Sequence, residues 1–313
     1  MAAERVKKVK KQIQASWQDA LQNFLYWKQA QGLASRTLDD YRTHVTQFFT
    51  RYPQAYQEEN LEKDIFEYMA QPVKPATFNI RLVYLKAFFS WCVDENIFSA
   101  NPLGAFKRKK DQGRIVNIDP DIIKKLISLP DRSTFSGLRD YGLIILTMDT
   151  GIRPSEALSL LKTDINPKYN NILIRSEIAK ARVSRTLPVS PITLNAIRDL
   201  VSARPDSWGE NIPIFSSCEG KKMSAMSWQH RFVNYNKKLG VKIRPYDLRH
   251  EFALIYLLNG GNQFSLMQTM GHTTAEMTRR YVSMTDSNLQ EIHQTASPLN
   301  SLITTHKRIR KIN

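Results

Sequence analysis

Apolar side chains return every three or four residues through most of this chain, and the returns fall into blocks. In WQDALQNFLYWKQAQGL, Trp17, Leu21, Phe24 and Leu25 share one side and Gly32 closes the block. SRTLDDYRTHVTQFFTRY starts from Ser35 as an N-cap and keeps Leu38, Tyr41, Val45 and Phe48 on one stripe. LEKDIFEYMAQ predicts a short third helix, and KPATFNIRLVYLKAFFSWCVDENI a fourth with Pro75 near its start. Four helices with short joints predict a small helical domain over residues 1–106.

The pattern then breaks. Asn101, Pro102 and Gly104 end the fourth helix, and Lys107, Arg108, Lys109 and Lys110 form an unbroken cationic run in a linker over 107–118. Beyond it, DPDIIKKLISLP reads as a helix, and FSGLRDYGLIILTMDTGI as an apolar helix stopped by Gly151. RPSEALSLLKTDI starts another, with Pro154 and Glu156 in its first turn. NNILIRSE and SRTLPVS read as strands flanking a turn at IAKAR. Helical spacing returns in PITLNAIRDLVSARP, SAMSWQHRFVNYNKKLG, YDLRHEFALIYLLNGG, QFSLMQTMG and TAEMTRRYVSM. The expected second domain, 119–298, is mostly helical with a small antiparallel sheet, followed by a tail over 299–313.

Composition adds a partner. The chain of 313 residues carries 45 Lys and Arg against 29 Asp and Glu, a formal charge of +16, so a polyanion is the natural ligand. Charge alone does not choose between DNA, RNA and an anionic membrane surface. No run of 18 apolar residues occurs, and the charged start MAAERVKKVKKQIQ lacks the apolar stretch of a secretion signal, so a soluble protein is expected. Cys92 and Cys218 are far apart and match neither a disulfide framework nor a zinc site, which fits a reducing cytoplasm.

A few residues stand in unusual settings. Arg153 follows a glycine at a helix start in TGIRPSE, where backbone and helix dipole favour an anion, and Arg249 opens the otherwise apolar helix YDLRHEFALIYLL. An arginine there is either paired to a carboxylate, with Glu156 and Asp247 as the local candidates, or holding a ligand. Lys180 sits on a hairpin tip, where it is either solvated or able to enter a groove of DNA. His272 follows Gly271 and can donate to phosphate or simply cap a helix. Tyr281 lies nine residues on, flanked on one side by Arg279 and Arg280, which as helix neighbours do not share its face. A phenol is a weak nucleophile at its free pKa of about 10 and needs cations brought from distant sequence.

At these residues the chain resembles the tyrosine recombinase, or phage integrase, family. TGIRPSEALSL looks like its first arginine box; YDLRHEFA and MGHTTAEMTRRYV, 23 residues from Arg249 to His272 and nine more to Tyr281, look like its second. The resemblance runs along nearly the whole chain, with the first helical domain similar to the family's core-binding domain. It implies that Arg153 and Arg249 clamp the scissile phosphate, Glu156 orients the first arginine box, and His272 bonds to the phosphate. Lys180, five residues before Arg185, would protonate the leaving 5′ oxygen, and Tyr281 would form a 3′-phosphotyrosyl link. The bond energy stays in that link, so no metal, ATP or other cofactor is implied. One position departs: Tyr246 stands where the family most often has histidine, three residues before Arg249. A tyrosine can still donate to phosphate but is a poor base near pH 7, and attack is expected to be slower.

The implied partner is double-stranded DNA with paired inverted-repeat sites, gripped by both domains in a C-shaped clamp and assembled as a homotetramer, with a partner recombinase or accessory protein an open matter. Residues placed as contacts are Arg36, Thr37, Arg42, Lys74, Thr77 and Asn79 in the first domain, the linker cations, and Lys222, Trp228, Gln229 and Arg231 in the second. In the tail, Leu299, Leu302 and Ile303 form an apolar patch and Lys307, Arg308, Arg310 and Lys311 a basic end, a segment that would dock on a neighbouring subunit. The short stretch before the first helix leaves no room for an arm-binding domain, so a simple Xer-like or transposon-type enzyme is expected. Two other readings share the resemblance: a type IB topoisomerase-like relaxing activity, and a noncatalytic architectural DNA-binding protein.

Overall fold

Small polar caps and prolines set where the helices begin. In the computed structural model, which describes residues 16–111, 117–285, 293 and 297–299, the first helix, α1 (Trp17–Ala30), is capped by Ser16, whose hydroxyl accepts from the N–H of Asp19 at 3.2 Å. α2 (Ser35–Arg51) starts one residue earlier than its sequence suggests: Ser35 is the first helical residue, and the cap is Ala34, with no side-chain bond. The backbone closes that turn alone, Thr37 N–H donating to the Ala34 carbonyl at 2.9 Å. After a 3₁₀ turn at Pro53–Tyr56 come α3 (Glu58–Ala70) and α4 (Pro75–Asp94), the latter with proline in its first turn.

These helices belong to the first of two units, Met1–Arg114 and Ile115–Asn313. Its core is aromatic. Phe24 meets Tyr41 and Phe88 edge-on, with centroids 5.1 and 5.4 Å apart, and Phe48, Phe49 and Phe89 complete a fully buried cluster. Such edge-to-face pairs add about 0.5–1.5 kcal/mol each to their burial. The cationic run stays with this unit: the Asn79 side chain donates to the Lys109 carbonyl and accepts from its N–H, both at 2.8 Å, and Lys109 Nζ lies 4.0 Å from the Phe78 ring.

The second unit contains α5 (Pro120–Ser128), α6 (Phe135–Thr150) and α7 (Pro154–Ala157), then a sheet of β1 (Ile165–Asn166), β2 (Asn171–Ile174) and β3 (Arg185–Pro188). It continues through α8 (Pro191–Ser202), α9 (Ala225–Leu239), α10 (Pro245–Leu258), α11 (Gln263–Met270) and α12 (Ala275–Thr285). The sheet is antiparallel in the order β1-β2-β3, with Ile172 opposite Leu187 and Ile174 opposite Arg185. Ile172, Ile174 and Leu187 face the core while Leu173 faces out, the alternation expected of a half-covered sheet. α6 is buried along most of its length and packs against α8 and α10. The fold is thus mostly helical with one small sheet.

Two further elements differ from the sequence reading. The helix expected through SLLKTDI is a single turn, α7, because the Asp164 carboxylate takes the N–H of Leu161 at 2.8 Å and Arg175 Nε pairs with it at 2.7 Å, a local arrangement that competes with continued helix. β1 was not expected; two residues are too short to display an alternation. Among the described residues no helix is long and apolar enough to cross a membrane.

Gly151 ends α6 in the left-handed region at φ 60°, and a Cβ there would lie 2.3 Å from the Phe252 ring. Backbone strain and overpacking therefore act together in Gly151→Ala, which is expected to cost about 2–4 kcal/mol. Chemical denaturation monitored by circular dichroism checks this; a loss under 1 kcal/mol contradicts it.

Candidate active site

α6 and α11 both end at a glycine in the left-handed conformation, Gly151 and Gly271, and both helices offer their last carbonyls to arginines. Arg249, one turn into α10, donates through Nη1 to the Gly151 carbonyl and through Nη2 to the Met270 carbonyl at 2.7 Å. Arg153 Nη2 takes the Gly271 carbonyl at 2.8 Å, and Arg185 Nε takes the Thr269 carbonyl at 3.2 Å. Three guanidiniums thus hold three successive carbonyls at the end of α11, where the helix dipole is negative.

One carboxylate serves this group. Glu156, fully buried, accepts from Arg153 Nη1 at 3.1 Å and from Arg185 Nη2 at 2.6 Å. It also takes the main-chain N–H of Lys180 at 3.2 Å, which ties the turn after β2 to the same point. Burial would raise the Glu156 pKa, but the bonds and charges of Arg185 and Arg153 outweigh it and hold the carboxyl below its usual range. Arg249 receives no such partner. Asp247 instead accepts from the backbone N–H of Arg244 at 2.9 Å, closing the first turn of α10. Among the described residues no carboxylate pairs with Arg249, its Nε is buried without a hydrogen-bond partner, and it is only 1 % exposed. Burial, then the neighbouring Arg153 charge, lowers its pKa. The local result is an excess of buried positive charge, which favours an anionic ligand.

The remaining residues gather nearby. Arg153, Lys180, Gln229, Arg244 and Tyr246 line one cleft of about 380 Å³; Arg185, Gly271 and His272 line another of about 580 Å³. Tyr246 is 45 % exposed and is no core residue; its ring meets His250 edge-on at 5.0 Å. His272 Nδ1 is 2.8 Å from Thr278 Oγ1. Tyr281, one turn further along α12, is 5 % exposed, its ring among Phe252, Ala253, Leu266 and Met270 and its hydroxyl 2.5 Å from His250 Nδ1. Arg279 is exposed and faces Glu276 at 3.9 Å.

The expected DNA contacts divide. Arg36, Arg42, Lys74, Thr77, the run Lys107–Lys110, Lys222 and Gln229 are exposed, and Thr37 is half-buried. Trp228 is a correction: it is 1 % exposed, with its ring 4.9 Å from Phe232, because Trp228, Phe232 and Tyr235 recur at helical spacing on the core side of α9. Arg231 gives its Nε to the buried Asp140 at 2.6 Å, beside the Tyr235 hydroxyl at 2.7 Å, and Asn79 is engaged with the Lys109 backbone. Both therefore have structural partners that compete with reading a base. In the tail, Leu299 is exposed, while Leu302, Ile303, Lys307, Arg308, Arg310 and Lys311 lie outside the described residues.

A family model described as the phage integrase family matches residues 117–288. The chain belongs to the phage integrase family. It is a tyrosine recombinase, an enzyme of site-specific DNA recombination. Tyrosine recombinase XerC of Shewanella amazonensis is 25% identical over 292 residues, covering 91% of this chain and 97% of that protein. The XerC of Thermodesulfovibrio yellowstonii is 26% identical over 292 residues, covering 88% and 95%. The fold is similar to a lambda integrase dimer bound to a COC′ core site, with a TM-score of 0.67 at 16% identity over 85% of this chain and 77% of that one. It is also similar to the Tn1549 transposon integrase in complex with transposon right end DNA, with a TM-score of 0.65 at 18% identity over 89% and 99%.

Two members of this candidate site carried little signal in the sequence. Arg185 served only as a marker for the hairpin, although it bonds both Glu156 and the end of α11; an arginine at the first position of a strand was the available clue. His250, next to Arg249 in YDLRHEFA, stands out by no spacing of its own.

Removing the Glu156 charge leaves two buried guanidiniums sharing a neutral acceptor, so Glu156→Gln is expected to cost about 3 kcal/mol at pH 7. The folded carboxyl titrates below the unfolded one, so its stabilisation is complete above about pH 4.3 and is lost as pH falls through the lower folded value. Denaturant titrations of both proteins from pH 7 down to the acid limit of folding check this. The gap should be full near neutrality and narrow below about pH 4; a gap independent of pH contradicts the assignment.

Proposed function

We propose that this recombinase cuts and rejoins duplex DNA through a 3′-phosphotyrosyl link on Tyr281. The observation that carries the reading is the buried guanidinium of Arg249, without a carboxylate and with Nε unpartnered, beside Arg153 in a cluster where cations outnumber anions. A phosphodiester supplies the missing charge. As phosphorus becomes five-coordinate, charge grows on its nonbridging oxygens, and preorganised guanidiniums favour that state over the ground state. His272 adds a further donor to the phosphate, and Tyr246, half exposed in the cleft with Arg153 and Lys180, offers a phenolic one. Tyr281 attacks phosphorus, and Lys180 gives its proton to the departing 5′ oxygen. Rejoining reverses the steps and needs neither metal nor nucleotide.

The exposed cations supply the grip: Arg36, Arg42 and Lys74 in the first unit, the run Lys107–Lys110, and Lys222 in the second, with Thr77 and Gln229 as polar contacts. The wider role that fits this chemistry is strand exchange between paired inverted-repeat sites by a homotetramer on DNA, in the cytoplasm and with or without a partner recombinase.

A nicked duplex carrying the recognition site traps the covalent step. Wild-type protein should yield a DNA adduct mapped by mass to Tyr281, and Tyr281→Phe should yield none while binding normally. Arg153→Lys and Arg249→Lys should slow adduct formation by about 10²–10³-fold with far smaller losses in affinity. Neutralising Lys107–Lys110 should do the reverse, weakening binding and flattening its salt dependence. Tight binding to a verified site with no adduct would establish the architectural reading instead, and relaxation of a plasmid with a single site would favour the topoisomerase-like one.

A further inference from the structure

Tyr281 must lose its phenolic proton as it attacks, and that proton needs an acceptor. We propose that His250 is that acceptor, a catalytic residue of the cleavage step; the inference rests on the reading of Tyr281 as nucleophile. His250 Nδ1 lies 2.5 Å from the Tyr281 hydroxyl, across the contact between α10 and α12. The same turn of α10 carries Arg249, so one short segment presents both a phosphate-binding cation and the base.

Other groups nearby are poorer acceptors. Tyr246 is a phenol, which near pH 7 donates rather than accepts a proton, and it touches the His250 ring edge-on at 5.0 Å. His272 bonds Thr278 Oγ1 through its own Nδ1. Arg153, Arg185 and Arg249 carry no acceptor. An imidazole with Nε2–H and a bare Nδ1 has the right basicity for the task. Tyr246 then acts at one remove, its ring limiting the positions His250 can take. Packing of Tyr281 among Phe252, Leu266 and Met270 keeps its hydroxyl directed to that nitrogen.

The step balances. The Tyr281 oxygen forms a bond to phosphorus while its proton passes to His250 Nδ1. The bond from phosphorus to the 5′ oxygen breaks, its electron pair stays on that oxygen, and Lys180 supplies a proton there. On rejoining, the 5′ hydroxyl attacks, its proton returns to Lys180, and His250 returns its proton to the departing phenolate.

Single-turnover cleavage of two nicked duplexes tests this, one normal and one with sulfur at the bridging 5′ position, whose thiolate leaves without protonation. With the normal duplex, His250→Gln is expected to be slowed by about 10²-fold or more, with DNA affinity within about threefold of wild type. The sulfur substrate should relieve the defect of Lys180→Met but not that of His250→Gln, and added imidazole should speed His250→Gly. Cleavage by His250→Gln within threefold of wild type, or relief of its defect by sulfur, would overturn the proposal. If wild type itself formed no adduct, the fault would lie with the nucleophile assignment instead. Should the variants fold poorly, nitrogen-15 spectra of histidine-labelled wild type decide: Nδ1 of His250 should be unprotonated and shift on Tyr281→Phe, and a protonated Nδ1 donating to the phenol would refute the role.

Discussion

The end of α11 is where three positively charged side chains from three distant parts of the chain converge. Arg185 comes from β3, Arg249 from α10 and Arg153 from the residue before α7, and they take the carbonyls of Thr269, Met270 and Gly271 in turn. Like charges brought together in a protein interior repel, and each has lost water. They are held by the negative ends of two helices and by Glu156, which is fewer negative charges than positive ones. His272 stands one residue past this ladder, and the Lys180 turn is anchored to it through Glu156.

The second half of the site is apolar. Tyr281 is seated in a small cluster built from α10, α11 and α12, and only its hydroxyl reaches a polar partner, His250. The division suits the proposed chemistry: a charged shelf that would take a phosphate, and beside it a phenol seated among apolar side chains. Because α10 supplies Arg249, His250 and Phe252 in sequence, a rotation of that helix would disturb shelf and phenol together.

Much of this was legible in the sequence. Helical spacing gave the blocks, and Gly151 and Gly271 marked helix ends, since their left-handed turns suit glycine. Arg153, Arg249, His272 and Tyr281 stood out because their order and intervals resemble a known family. What stayed hidden was the partner of each. The carbonyls that Arg249 holds are 98 and 21 residues away from it, and no local pattern encodes such a pairing. Arg185 read as a strand residue for the same reason. Trp228 was misread because an aromatic beside polar neighbours looks like a surface contact until its helix is seen to turn Phe232 and Tyr235 to the same side. Asp247, the obvious counter-ion for Arg249 by proximity in sequence, closes a helix turn instead, so that among the described residues the buried arginine has no carboxylate partner.

The central claim is that a phosphate completes the charge of the arginine cluster while Tyr281 addresses it. The most direct measurement is a crystal structure of the protein on a duplex gapped at the cleavage position and closed with vanadate, which takes the five-coordinate geometry of the transition state. Arg153 and Arg249 are expected on the equatorial oxygens and the Tyr281 oxygen at one apex. Vanadate bound away from either arginine, or with another residue at the apex in every subunit of the assembly, would contradict it.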